Sequence, residues 1–299
     1  MPIYILKDND WEEIDEETKK NLPEEDKKKT LSIPSKLKNK LDFAVKQINN
    51  NNDCLSIVVG DEGSGKSSIA GNIMRYVTKD NFNPKKDVVG SDYEEGIEKI
   101  QKAEEKGALM FDEGNVFFLS TETMKKEHRQ LHKLFSIFRQ KCLFTVIVLP
   151  SFFRLGTYFA IDRSDFLIRT YLKNGERGFF EYYGKKLKAD LYKKGKKNFD
   201  YTVVNPKFKG RFTKCHLIEN EEYKKFKLKT LMDSITTAKK KKDKTPHQIE
   251  VEYRDNLIKN NLHKTGRELG EILGITEQRA CQLKKKFNKE KILEEKNKE

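Results

Sequence analysis

With 299 residues the chain is long enough for one large domain or two modest ones, each with a packed core. No apolar run approaches the ~20 residues that a membrane-spanning helix requires, and the opening Met1-Pro2-Ile3-Tyr4-Ile5-Leu6 leads into acidic residues without the basic head and apolar stretch of a secretory signal, so the expectation is a cytoplasmic protein with no membrane span. Basic residues outnumber acidic ones 61 to 47, and the resulting formal charge of +14 points to a polyanion as partner.

Residues 1–33 are polar, with Glu-Glu and Lys-Lys-Lys runs around one short apolar patch at residues 3–6, and read as a peripheral arm. A helix is predicted over 34–48, where Leu37, Leu41, Phe43, Ala44 and Ile48 recur at helical spacing before the Asn49 to Asn52 cluster ends it. Leu55-Ser56-Ile57-Val58-Val59 then reads as a buried strand. It runs straight into Gly60-Asp61-Glu62-Gly63-Ser64-Gly65-Lys66-Ser67, a complete G-x-x-x-x-G-K-[ST] phosphate-binding loop. Gly60, Gly63 and Gly65 let backbone N–H groups turn toward phosphate oxygens, with Asp61, Glu62, Ser64 and the following Ser68 completing the cradle. Lys66 supplies a point charge for the β- and γ-phosphates, and Ser67 a hydroxyl for Mg²⁺. A helix through Ile69, Ile73 and Val77 points its positive dipole end at the same anion.

Downstream, a short strand at 87–89, a charged helix over 93–106 and a second apolar strand, Ala108-Leu109-Met110-Phe111, lead to Asp112-Glu113-Gly114-Asn115. A long helix over 121–140 precedes a third apolar strand at 143–149, expected beside the phosphate-loop strand with Pro150 and Ser151 turned toward the γ-phosphate and Ser151 placed as a sensor. The runs at 165–171 and 178–183 flank Lys173-Asn174-Gly175-Glu176 and predict a β-hairpin. Strands alternating with helices imply a mainly parallel sheet covered on both faces, assigned to residues 34–190. Residues 191–245 turn strongly basic, ending near the unbroken Lys239 to Lys242 run, and read as a connecting region with one helix over 220–238.

The last segment, 246–299, predicts a small all-α helix-turn-helix domain. Thr265 caps a first helix with Glu268 as capping-box partner, Leu269, Ile272 and Leu273 face inward, Gly274 makes the turn, and Thr276 caps a second helix packed through Ala280 and Leu283. A further helix over 249–259 completes three. Thr276, Glu277, Gln278, Arg279, Gln282, Lys284 and Lys285 are then of the types that contact base edges and phosphates, so DNA is the expected partner; a helical hairpin used for protein contact is the alternative.

Hydrolysis needs more than a phosphate loop. Asp112 is placed to assist the metal and Glu113 to polarise the attacking water. Arg139, Arg154 and Arg163 are candidates for a finger that reaches a neighbouring subunit's nucleotide, Arg139 first because it stands just before the third strand. The four cysteines, Cys54, Cys142, Cys215 and Cys281, form no C-x-x-C pair, which fits free thiols in a reducing compartment and argues against structural zinc. His128 and His132, amid Lys125, Lys126, Arg129 and Lys133, read as helix-surface residues.

The loop at 60–67, Phe111-Asp112-Glu113, and the run from Phe138-Arg139-Gln140-Lys141 into Val146-Ile147-Val148 resemble the additional-strand P-loop ATPases of the FtsK-HerA kind. Within that group the chain looks most like zonula occludens toxin-like and packaging-type ATPases of phages, archaeal viruses and mobile elements. The resemblance covers residues 50–185. It implies an α/β P-loop NTPase fold, ATP and Mg²⁺ as cofactors, and a DNA-moving homo-oligomer with a hexameric ring among its forms. The third strand departs from the group, ending in Leu149-Pro150-Ser151 where a polar glutamine is usual. No Leu-Ser-Gly-Gly-Gln signature follows, which argues against a transporter-type ATPase. The expected function is therefore ATP hydrolysis coupled to translocation, packaging or mobilisation of mobile-element DNA. The alternatives are a nucleotide-dependent DNA-binding regulator or replication-initiation factor, and, with least support, a kinase, since no lid-like Arg-rich segment is evident.

Overall fold

The computed structural model describes residues 1–90, 93–112, 138–218, 220, 221, 223, 225, 227, 228, 258, 261–273 and 275–296. The chain divides into two compact units, Met1–Ser234 and Ile235–Glu299.

The first unit begins with β1 (Ile3–Lys7), β2 (Asp10–Ile14), α1 (Glu16–Asn21), α2 (Glu24–Lys29) and β3 (Leu31–Ser32). The expected polar arm is thus a three-stranded antiparallel sheet in the order β2-β1-β3. Tyr4, Trp11, Leu31 and Ile33 enter the same core cluster as Leu37 and Ile73, whereas Ile3 and Ile5 alternate with Tyr4 and take the opposite face of β1. Ile3, Tyr4, Ile5, Trp11, Leu31 and Ile33 are buried, while Lys7, Asp10, Glu12 and Glu13 remain outside. Burial against a helix from elsewhere in the chain is what makes so polar a segment fold. Asp15 caps α1 by accepting from Thr18 N–H at 2.6 Å.

Next come α3 (Ser35–Asn49), β4 (Cys54–Gly60), α4 (Lys66–Val77), α5 (Pro84–Asp87), β5 (Val88–Val89), α6 (Tyr93–Lys102), β6 (Ala108–Phe111) and β7 (Phe144–Leu149). A 3₁₀ turn at Phe152–Arg154 and a π-helical turn at Tyr158–Arg163 lead to β8 (Phe166–Lys173), β9 (Glu176–Gly184), α7 (Lys185–Gly195) and β10 (Phe208–Arg211). These strands form one seven-stranded sheet, β10-β9-β8-β4-β7-β6-β5. The five strands from β8 to β5 are parallel, and β9 and β10 extend the sheet antiparallel through the Asn174-Gly175 hairpin. As the sequence predicts, β7 lies beside β4, pairing Cys54 with Phe144 through Val59 with Leu149. It separates β4 from β6, which Asp112 follows.

Both faces are covered. Cys54 and Val58 pack with Leu37, Leu41, Ile48, Ile69 and Ile73 of α3 and α4 on one side. Leu55, Ile57 and Val59 pack with Ile100, Phe138, Phe152, Leu191 and Tyr192 on the other. Every residue of β4 is buried, as a central parallel strand requires. The stretch after residue 190, expected as a connection, contributes to this unit: β10 joins the sheet and Cys215, Ile218 and Tyr223 enter its core. Residues 221, 223, 225, 227 and 228 are helical, within the predicted 220–238 helix.

In the second unit α8 (Gly266–Leu273) and α9 (Glu277–Lys296) enclose a cluster of Ile258, Leu269, Ala280 and Phe287. The capping box forms: Thr265 N–H donates to Glu268 Oε2 at 2.8 Å and Glu268 N–H to Thr265 Oγ1 at 3.3 Å. Ile272, expected to face inward, is exposed. Leu269 and Leu273 take the side of α8 that meets the cluster. Gly274 and most of the 249–259 segment lie outside the described residues.

Candidate functional site

Because β4, β6, β7 and β8 are parallel, their carboxyl ends converge on one edge of the sheet, and the 60–67 loop leaves β4 there. Two of its glycines have no substitute. Gly60 has φ +151°, and a Cβ on it would lie 2.3 Å from both Thr170 O and Thr170 Oγ1. Gly65, at φ +93°, caps α4, and a Cβ there would sit 2.9 Å from Phe212 Cζ. Ser64 Oγ lies 2.6 Å from Asp61 O and 2.7 Å from Thr170 Oγ1, so the loop is pinned to β8. Lys66 Nζ donates to Gly60 O and Asp61 O, each at 2.8 Å. Burial, and then the charge of Lys227, push the Lys66 ammonium below its usual pKa.

Asp112 follows β6 and is almost fully buried. Its N–H donates to Val89 O at 3.0 Å, which fixes the backbone. Its Oδ1 accepts from Ser67 Oγ at 3.0 Å, and its Oδ2 from Tyr223 OH at 2.7 Å and from Lys227 Nζ at 3.1 Å. A hydroxyl and a carboxylate so close, from two different elements, form the hard-oxygen donor pair that Mg²⁺ takes while keeping several waters. Residue by residue, Glu62, Gly63, Gly65, Lys66, Ser67, Ser68 and Asp112 line a cleft of about 750 Å³ together with Val148, Leu149 and Pro150. Gly60, Asp61 and Ser64 shape the loop beneath it.

Other expected residues stand elsewhere. Glu113, His128 and His132 lie outside the described residues. Arg139 is exposed at the amino end of β7, the edge opposite the loop, where it borders a second cleft with Asp53 and Arg163. It does not approach the phosphate loop of its own chain. Arg163 is ion-paired with Asp53, and Arg154 is exposed in the turn after β7. Pro150 faces the cleft as expected, whereas Ser151 is hydrogen-bonded to Tyr201, which also accepts from Phe152 N–H at 2.9 Å.

Sequence reasoning missed Arg177, Lys214, Tyr223 and Lys227, which complete the cleft wall. They come from β9 and from the region read as a connection, over 100 residues beyond the loop, and only the sheet's antiparallel extension brings them back. The single sequence signal is an excess of lysine, shared with most of this chain. Among the described residues no three His, Cys, Asp or Glu side chains gather as a metal cluster, and no described helix is long and apolar enough to cross a membrane.

In the second unit Thr276, Glu277, Gln278, Arg279, Gln282 and Lys285 are exposed on α9 or at its start. Arg279 Nη1 donates to Gln282 Oε1 at 3.1 Å, so the two share one patch. Lys284 is half-buried and donates to Lys264 O at 2.5 Å, which ties α9 to the turn before α8.

No protein-family model and no curated protein sequence matches the chain. Solved structures of viral genome-packaging NTPases are similar to part of it. The NTPase B204 of Sulfolobus turreted icosahedral virus 2 in complex with ATPγS aligns at a TM-score of 0.34 and 13% identity, covering 45% of this chain and 93% of that one. The same protein with AMP gives 0.31 at 13% identity over 45% and 93%. B204 of Sulfolobus turreted icosahedral virus, described as a DNA-packaging ATPase, gives 0.35 at 9% identity over 46% and 94%.

Proposed function

We propose that this chain binds and hydrolyses ATP with Mg²⁺ and uses the turnover to translocate, package or mobilise DNA of a mobile element. The observation that carries the reading is the meeting of Ser67 and Asp112, at 3.0 Å, at the carboxyl edge where a glycine loop opens onto α4. Lys66 and the loop N–H groups hold the phosphates, Ser67 and Asp112 hold the metal, and Glu113 orients the attacking water. The metal, when bound, supplies charge neutralisation at the phosphoryl oxygens. Arg139, on the edge remote from its own loop, serves a neighbouring copy in a homo-oligomer, with a hexameric ring as the expected form. Thr276, Gln278, Arg279, Gln282, Lys284 and Lys285 contact DNA, supported by the exposure of all but Lys284.

The test is ATPase turnover of the full chain with and without DNA, beside Lys66→Ala and Glu113→Gln. Lys66→Ala should abolish nucleotide binding or turnover, Glu113→Gln should leave ATP bound but uncleaved, and DNA should raise the wild-type rate. Hydrolysis retained in Lys66→Ala sinks the site assignment. A rate indifferent to DNA replaces the motor with a nucleotide-dependent DNA-binding regulator.

A further inference from the structure

The cleft carries more positive charge than a phosphate loop alone supplies. Arg177, Lys214 and Lys227 line it along with Lys66, and among the described lining residues the carboxylates that face them are Glu62 and Asp112. Lys227 is held at Asp112. Its Nζ rests 3.1 Å from Asp112 Oδ2, the oxygen that Tyr223 OH also holds, while Ser67 occupies Oδ1. The ammonium therefore stands one carboxylate's width from the Ser67 hydroxyl, and close enough to Lys66 for each to feel the other's charge. Asp112 offsets part of the repulsion between the two ammonium groups, yet Lys66 is still held below its usual pKa by burial and then by Lys227, and a phosphate between them would offset more of it.

We propose that Lys227 binds the terminal phosphate of a nucleoside triphosphate and lets the site tell triphosphate from diphosphate. The inference rests on the nucleotide reading given above. Lys66, folded over the start of the loop, takes the phosphates from one side. Lys227 approaches from the side of Asp112, beyond Ser67, where the outermost phosphate of the chain ends. Its flexible four-carbon stem, 34% exposed, lets the ammonium trade a carboxylate oxygen for a phosphate oxygen without moving the backbone. A diphosphate has no oxygen at that position, so Lys227 then stays on Asp112. Tyr223, almost fully buried, keeps its hydrogen bond to Asp112 in either case and fixes the starting geometry; it is a positioning residue.

The experiment is calorimetric binding of ADP and of the non-hydrolysable analogue AMP-PNP, both with Mg²⁺, to the full-length chain. Losing one charge-assisted hydrogen bond should weaken AMP-PNP about tenfold or more in Lys227→Ala and leave ADP within about twofold. Lys227→Arg should recover most of the preference, and Tyr223→Phe, which leaves the ammonium in place, should keep it. An undiminished triphosphate preference in Lys227→Ala, or an equal loss for both nucleotides, overturns the inference while the nucleotide reading stands. Tighter binding of both would also overturn it, by showing that Lys227 competes for Asp112 instead. A wild-type chain that binds neither nucleotide removes the nucleotide reading and this inference with it.

Discussion

Trp11 tests whether residues 1–33 belong to the core of the first unit. Its indole is 8% exposed, stacks on Tyr76 with centroids 5.6 Å apart and planes 13° from parallel, and donates Nε1–H to Tyr76 O at 3.0 Å. Tyr76 lies on α4, the helix that begins at the phosphate loop. Truncating a buried tryptophan costs ~3–5 kcal/mol, of which the stack accounts for about 0.5–1.5 kcal/mol and the hydrogen bond for about 1 kcal/mol. Tyr76 O also accepts from Lys79 N–H at 3.3 Å and is not left bare. Trp11→Ala should therefore fall at the lower end, ~3 kcal/mol, and Trp11→Phe, which keeps a ring and loses the donor, at ~1–2 kcal/mol. With a urea slope of ~2–3 kcal/mol/M, the alanine variant's midpoint should drop by about 1 M in circular dichroism. The chain holds one tryptophan beside eleven tyrosines, so selectively excited tryptophan emission of the wild type reports on this stack and should change together with the far-ultraviolet signal. A midpoint unmoved by Trp11→Ala, or fluorescence lost well before the helices, would refute the reasoning and return residues 1–33 to a loosely attached arm.

Gly60→Ala should sharply weaken nucleotide binding and destabilise the first unit by ~2–3 kcal/mol, because the added Cβ meets the Thr170 backbone as well as an unfavourable φ. Gly63→Ala, where the space is open and only φ +74° is strained, should cost about 1 kcal/mol; titration with ADP and thermal melting compare the two. Burial pushes the Glu181 carboxyl up, but Lys209, Tyr183 and Arg169 donate to it and hold it net below the usual range. Its stabilising contribution is thus present above the unfolded carboxylate pKa and lost as pH falls through the lowered folded value, so Glu181→Gln should flatten the acid limb of a plot of melting temperature against pH. Arg279→Ala with Lys285→Ala should weaken DNA binding by the full chain and reduce the slope of log affinity against log salt by about 1 for each phosphate no longer neutralised; an unchanged slope would reassign α9 to protein contact.

What the sequence made legible follows a pattern. β4, β6, β7 and the hairpin were readable because buried parallel strands are continuous apolar runs and an Asn-Gly turn declares itself. The loop was readable because its chemistry is local: eight consecutive residues carry both the turn and the donors. The Thr265 and Glu268 box was readable for the same reason, since capping acts over three residues. The first 33 residues were not, because their apolar side chains are sparse and their burial depends on Tyr76 and Leu37, which belong to other elements.

The phosphate loop, its lysine and the carboxylate at the end of β6 are thus properties of the sequence itself, set by backbone geometry and short-range donors. The sequence also pairs Ser67 with Asp112 at one metal, and the two lie 3.0 Å apart; the tertiary structure alone decided that Arg139 faces away from the loop of its own chain, and that Tyr223 and Lys227 return to the carboxylate. Strand order and chain reversal govern those placements, and they depend on how distant apolar faces cover one another rather than on any local run of residues.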